Sequence, residues 1–270
     1  MHVRYGTLDC PALADRQRRT YVAASRVVGA ACPLCRHVPC TPGHILGGCA
    51  HRLLKSMYIK RHNEAVCMLQ RAVSDGGKGI SLLCVLMDAR QRADLPEGVL
   101  GARVPPWLLP DSSLPDDDAR CPPDAMRERL RPDLLFIGGL PASAVPRDPA
   151  RVIPFRRRMA ATVYVVEVGY VSDSSDALGD MVRRKHEQHA LLCSSLARAG
   201  WRVHSGAPVV LPLGTAGTVY TAWRDAALLL GVPAVAVPPL LRALHLHSVD
   251  AAAAINRTRL YLERSPGGGA

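Results

Sequence analysis

Two sets of residues in this chain have the types and spacings that do chemistry. The first is Cys32, Cys35, His44 and Cys49, in the pattern C-x2-C-x8-H-x4-C. A CxxC turn lets two thiolates meet one ion, and a more distant His/Cys pair completes the tetrahedron that zinc prefers with sulfur and nitrogen ligands. Gly43, Gly47 and Gly48 give the backbone around the second pair the freedom to turn its side chains inward. Cys40 can replace a member of the set, and His37 or His51 can replace His44, so the ligand list stays open on spacing alone. Residues 30–51 carry few large apolar side chains, and so small a unit needs a metal or a crosslink to fold.

The second set is two carboxylates and an amine. Asp133 opens the apolar run in "RPDLLFIGG", and Glu167 lies inside "VYVVEVGY". A carboxylate inside a sheet is costly unless it is paired or holds a cation. Hydrolysis of a phosphodiester needs a hard divalent cation to neutralise developing charge and activate water, and it needs a cationic side chain nearby. Lys185, in "RRKHEQH", is the candidate amine, and His186, Gln188 and His189 beside it can orient water or phosphate. The plainer alternative is that Asp133 merely starts a strand, Glu167 faces water at an edge, and the basic run is a solvated helix face.

The elements that must position these residues follow from periodicity. Ala65, Val66, Leu69, Ala72 and Val73 recur at helical spacing and predict an amphipathic helix ending before "SDGGKG". "GISLLCVLM" (79–87) is a strand-length apolar run, and the proline- and aspartate-rich stretch that follows is expected to be a loop or disordered insertion near 100–126. "RPDLLFIGG" and "ATVYVVEVGY" are buried-strand candidates. "DSSDALGDMVRRKHEQHALLCSSLARAG" reads as a long helix capped by Asp176 or a nearby serine, with Gly200 just past its end. "WRVHSGAPVVLPLG" is expected as one strand and "TVYTAWRDAALLLG" as a helix. The order predicts an α/β protein, a sheet with helices on its faces.

Composition bounds the rest. The 34 basic and 23 acidic residues give a net charge of +11, which suits a polyanionic partner such as nucleic acid, and ribosome-like or membrane-surface binding fits the charge equally well. A length of 270 residues with 48% hydrophobic content allows one principal core and a small satellite. The first twenty residues lack an apolar core before a cleavage site, and no apolar run reaches the length of about 18 residues that a membrane helix needs. A soluble intracellular protein without a membrane partner is therefore expected. Nine cysteines, an odd count with four in one cluster, favour thiolates held by metal over a disulfide framework.

Asp and Glu on neighbouring strands with a lysine beyond them resemble the PD-(D/E)xK nuclease superfamily. Its lysine normally lies two residues after the second acid, where this chain has Gly169. The larger pattern resembles the C-terminal region of site-specific non-LTR retrotransposons that carry a restriction-like endonuclease, the trypanosomatid spliced-leader elements among them, where the lysine sits on the following helix. The residues that carry this resemblance are colinear: Cys32, Cys35, His44 and Cys49, "RHN" at 61–63, "RPDLLF" at 131–136, "VYVVEV" at 163–168, Lys185, and "PVVLPLGTAGTV". The chain departs from the pattern in the 34-residue separation of Asp133 from Glu167 and in Gln188, where a second basic residue is often found.

The resemblance implies a restriction-endonuclease-like α/β fold, a mixed sheet flanked by helices, at 61–240, preceded by a basic N-terminal arm (1–29) and a CCHC zinc knuckle (30–51), and followed by a C-terminal helix and flexible tail (241–270). It implies a DNA endonuclease that nicks its target so that the freed 3′ hydroxyl primes reverse transcription in the nucleus. Asp133 and Glu167 would hold Mg²⁺ or Mn²⁺, Lys185 would act on the phosphate or the water, and Arg131 and Gln188 would contact substrate. Zinc would be structural, and the knuckle, with Arg16, Arg18 and Arg19, would bind target DNA or element RNA. No polymerase motif is found, so a fragment of a longer polyprotein is expected. The rival readings are a catalytically decayed zinc-knuckle module that only binds nucleic acid, and a zinc-stabilised protein adaptor.

Overall fold

The computed structural model describes residues 31–37, 40–76, 80–85, 107–109, 131–140, 144, 152–172 and 175–264. The expected basic arm, the tail beyond residue 264 and most of the proline-rich stretch lie outside these residues. The described part is a mixed sheet with helices on both faces. Helix α1 spans Arg52–Gly76, strand β1 Ile80–Val85, β2 Leu134–Gly138, α2 Phe155–Ala160 and β3 Thr162–Val171. Then follow α3 (Ser175–Arg198), β4 (Arg202–Val203), β5 (Val209–Gly214), α4 (Thr221–Leu229) and α5 (Val237–Arg264).

β1, β2 and β3 pair antiparallel in sequence order, whereas β4 and β5 both lie parallel to β3, beside its two ends. The single strand expected over 201–214 is thus two. Ser205 and Gly206, at φ of 50° and 68°, break the extended backbone between them.

Period-two alternation sorts the strands' side chains to opposite faces. Leu134, Phe136, Val166 and Val168 enter a core with Val66, Leu69, Trp223 and Leu244, from α1, α4 and α5. Trp223 is fully buried and its indole N–H donates to Pro212 O at 2.7 Å, which satisfies the ring's one polar atom. Leu135, Ile137, Val163 and Val165 face the other way, onto Leu192 and Leu196 of α3. Trp107, Leu108 and Leu109 join this second core, and the Trp201 indole donates to Leu108 O at 2.7 Å. Within the stretch expected to be disordered, this turn is buried.

α5 begins at Val237, four residues ahead of its expected boundary. Pro238 and Pro239 fall in its first turn, where a missing N–H costs nothing. α1 starts directly after the cysteine cluster and runs past its expected end into Gly76. Among the described residues no helix is long and apolar enough to cross a membrane.

Candidate active site and metal centre

Sheet register brings the two acids together. Leu134 pairs with Val166 and Leu135 with Val165, so the antiparallel register carried one residue further sets Asp133 opposite Glu167. Their side chains close the end of the ladder: the Asp133 N–H donates to Glu167 Oε1 at 3.0 Å, and the Val168 N–H donates to Asp133 Oδ2 at 2.8 Å. Glu167 shares the parity of Val163 and Val165 and therefore faces α3. It is 1% exposed, which removes the alternative of a water-facing edge residue.

α3 supplies the partners because its sheet-facing stripe is not wholly apolar. Met181, Lys185, His189, Leu192 and Leu196 recur at helical spacing on one face, and in the middle of that stripe Lys185 Nζ donates to Glu167 Oε2 at 2.7 Å. His189, fully buried, places Nε2 2.8 Å from Glu167 Oε1. Gly169 explains why the amine comes from a helix. A Cβ there would stand 2.9 Å from Met181 Sδ, so the place a strand lysine would use is filled by α3, and Lys185 enters one turn further along.

α1 brings in the remaining partner. His62 Nε2 lies 2.9 Å from Asp133 Oδ1. Its neighbour Arg61 is 2% exposed and sets its guanidinium 3.9 Å from the Tyr170 ring centroid. Burial disfavours charge on His62, but Asp133 outweighs it and raises the imidazole pKa. Burial likewise pushes the Asp133 carboxyl up, yet His62, Lys185 and the Val168 N–H together hold it below its ordinary value. Lys185 follows the same pattern: desolvation lowers its pKa, and Glu167 with Asp133 raises it further. In all three groups the shift thus favours the charged form. A cavity of about 380 Å³ opens beside them, with His62, Lys185, Gln188, Gly169 and Tyr170 in its walls.

Of the expected site residues, Asp133, Glu167 and Lys185 converge and Gln188 lines the adjoining cavity. Arg131 is exposed two residues before Asp133, and His186 is also exposed. His62 lay in the "RHN" triplet without an assigned role, and His189, expected to orient water or phosphate, is instead fully buried against Glu167. Helical spacing from Lys185 was the one signal for His189. Nothing in the local sequence pointed from His62 to Asp133.

The cysteine cluster forms a second centre. Ligand atoms of Cys32, Cys35, His44 and Cys49 all lie within 4.8 Å of one another. Cys32 Sγ and Cys49 Sγ are 3.9 Å apart and Cys35 Sγ is 3.2 Å from His44 Nε2. Two thiolates sharing a zinc ion at about 2.3 Å each would be separated by about 3.8 Å in a tetrahedron. The group fits zinc on both donor type and spacing.

Local backbone makes this possible. The Cys32 N–H donates to His37 O and the Arg36 N–H to Cys32 O, both at 2.8 Å, with Arg36 at φ 63° closing the turn. A π-helical turn over His44–Gly48 presents the histidine. Burial, with His37 close by, lowers the His44 pKa, which keeps the imidazole in its ligating neutral form. Burial pushes the Cys49 thiol up to about 12. His37 stacks on His44 with ring centroids 4.5 Å apart and is not a member of the group, and Cys40 is buried outside it.

Comparison with protein-family models and with curated proteins returns no match. The chemistry is therefore read from this geometry.

Proposed function

We propose that this chain is a metal-dependent DNA endonuclease of the restriction-like kind carried by site-specific non-LTR retrotransposons, nicking target DNA to prime reverse transcription. The observation that carries this reading is the convergence of Asp133, Glu167 and Lys185 from three elements onto one point beside an open cavity. A protein adaptor has no use for two adjacent carboxylates and a buried-side amine. The net charge of +11 supports a nucleic-acid partner.

The two carboxylates suit Mg²⁺ or Mn²⁺. Hard cations of this size are commonly held by one or two carboxylates, with water and substrate phosphate completing the shell. Glu167 Oε2 and both Asp133 oxygens each keep a second lone pair beyond the one partner each meets, whereas Glu167 Oε1 faces both the Asp133 N–H and His189 Nε2. Bound there, the ion would supply charge neutralisation and a more acidic water. The chain's own residues do the rest. Asp133 and Glu167 fix the site, and His62 and the Val168 N–H hold Asp133 in its ionised form. Lys185 stabilises charge on the phosphoryl oxygens or orients the water. A water oxygen bonds to phosphorus while the P–O3′ bond breaks, and the departing oxygen takes a proton, leaving a 3′ hydroxyl and a 5′ phosphate. The zinc unit is structural, serving as a knuckle that holds DNA or element RNA, and Arg131 and Gln188 make backbone contacts.

The test is nicking of a supercoiled plasmid with Mg²⁺ by the parent, Asp133→Ala, Glu167→Ala and Lys185→Ala. Each variant is expected to lose about 100-fold or more of the rate. Equal nicking by all four proteins removes these residues from the mechanism. Salt-sensitive DNA binding with no magnesium-dependent nicking by the parent identifies the decayed binding module instead.

A further inference from the structure

We propose that the groove between the cysteine/histidine unit and the sheet is a channel for a single nucleic-acid strand leading to the carboxylates. The zinc unit is then one wall of the substrate site. The groove encloses about 1060 Å³. His37, Gly43 and Gly47 form one side, and Tyr170, Ser172 and Arg184 the other. Tyr170 and Arg184 also line the cavity walled by His62 and Lys185, so the two spaces adjoin at these side chains.

The wall is fixed in place. A Cβ on Gly43 would lie 3.3 Å from Ser172 Cβ, and one on Gly47 3.2 Å from Thr215 Cγ2. The backbone of the zinc unit therefore meets the end of β3 and the turn after β5 at van der Waals distance. Ile45, Leu46 and Leu54 are buried with Ala252 and Ile255 of α5 in one cluster. Behind the opposite wall, Arg61 stacks on Tyr170, whose hydroxyl lies 3.1 Å from Ser248 Oγ.

The lining chemistry selects the occupant. Exposed Arg183 and Arg184 offer guanidinium groups to phosphates, with one acid among them: Asp180 pairs with Arg183 at 2.9 Å and accepts from Arg184 Nε through its backbone oxygen at 3.4 Å. His37 is exposed and its ring is held rigid by stacking on His44, which makes it a platform for a base. The volume is at the top of the range of about 300–1,000 Å³ for ligand pockets. It is large enough for a few nucleotides of one strand, and the exposed face of His37 suits an unpaired base.

This inference rests on the hydrolase reading for where the strand leads, but strand binding is measured without cleavage. The full zinc-loaded chain is titrated, in magnesium-free buffer, against a labelled single strand of roughly ten nucleotides, within the usual range of strand-binding folds, and against the same sequence as duplex. The parent is expected to prefer the single strand. His37→Ala is expected to weaken it about 5- to 100-fold, the effect of losing one stacked base. Ser172→Trp, which fills the groove, is expected to weaken it at least as much, while Arg156→Ala on the exposed face of α2 leaves it within about twofold.

Should Ser172→Trp lose zinc or the parent's melting profile, Ala177→Trp fills the groove from α3. Photocrosslinking of a bromouracil-substituted strand to the parent gives a reading that needs no variant. Crosslinks at His37 or Tyr170 support the channel, and crosslinks confined to other surfaces overturn it, as does undiminished binding by both groove variants. A parent that binds the strand here without nicking plasmid DNA sinks the hydrolase reading alone. A parent that nicks but binds the strand equally well when the groove is filled sinks the channel alone.

Discussion

At the scale of single residues, Glu167 is the position on which the site turns. A carboxylate this buried persists because Lys185 and His189 meet it, and removing one partner leaves an uncompensated charge. Lys185→Met is therefore expected to lower stability by about 1–3 kcal/mol, short of the full cost of a broken buried pair because the lysine side chain keeps 26% exposure. Urea denaturation measures this, and Lys185→Met combined with Glu167→Gln should cost less than the two changes summed. Strict additivity would mean that the two groups do not interact.

The Asp133–His62 pair makes stability depend on pH in two directions. Asp133, held below its ordinary value of 3.8, contributes stability that is complete above that value and is lost as pH falls through the depressed one. His62, held above its ordinary 6.5, contributes stability that is complete below 6.5 and is lost as pH rises through the raised value. In magnesium-free buffer the denaturation midpoint should thus decline on the alkaline side of 6.5, and His62→Gln should flatten that limb. An unchanged limb in the variant would show that the contact carries no net energy.

At the scale of elements, α3 does two jobs with one stripe: its apolar positions pack the second core and its polar positions reach the acids. Its end is set by Gly200, at φ +86°, where a Cβ would lie 2.6 Å from the Phe155 ring. Gly200→Ala meets both a left-handed backbone, worth about 1–2 kcal/mol, and a collision with α2. A loss of at least about 1 kcal/mol is expected in thermal or urea unfolding; a neutral substitution would show that α2 moves freely away. Gly200 was recognisable as a helix stop from sequence, because the left-handed requirement is local. The contact with Phe155 was not, since that ring is 45 residues earlier in the chain. The division of β4 from β5 also escaped sequence reading, as valines at both ends masked the left-handed Ser205–Gly206 step.

At the scale of the whole molecule, the cysteine/histidine unit is packed rather than tethered. Cys32, Cys40 and Cys49 share a buried cluster with α1 and α5, and α1 leads straight out of the unit. Removing metal should therefore loosen more than residues 30–51. One zinc per chain is expected by elemental analysis. Chelation, or Cys49→Ser, should lower the unfolding midpoint and expose apolar surface to a hydrophobic dye. Full retention of the midpoint after metal loss would show that packing alone holds the unit.

Sequence by itself supplied the residue types of each component: a cysteine/histidine set of zinc-ligand character whose membership stayed open, two carboxylates in apolar runs, and a lysine on a helix one element later. These signals survive because they reside in residue type, short spacing and the periods of strand and helix. Assembly was decided by the tertiary structure. The β2–β3 register sets Asp133 across from Glu167, α1 reaches back to add His62, Met181 closes the space beside Gly169, and the cysteine/histidine unit lies against the end of β3. Each of these depends on contacts between residues far apart in the chain, whose pairing follows from how the two cores pack and leaves no periodic mark in the sequence.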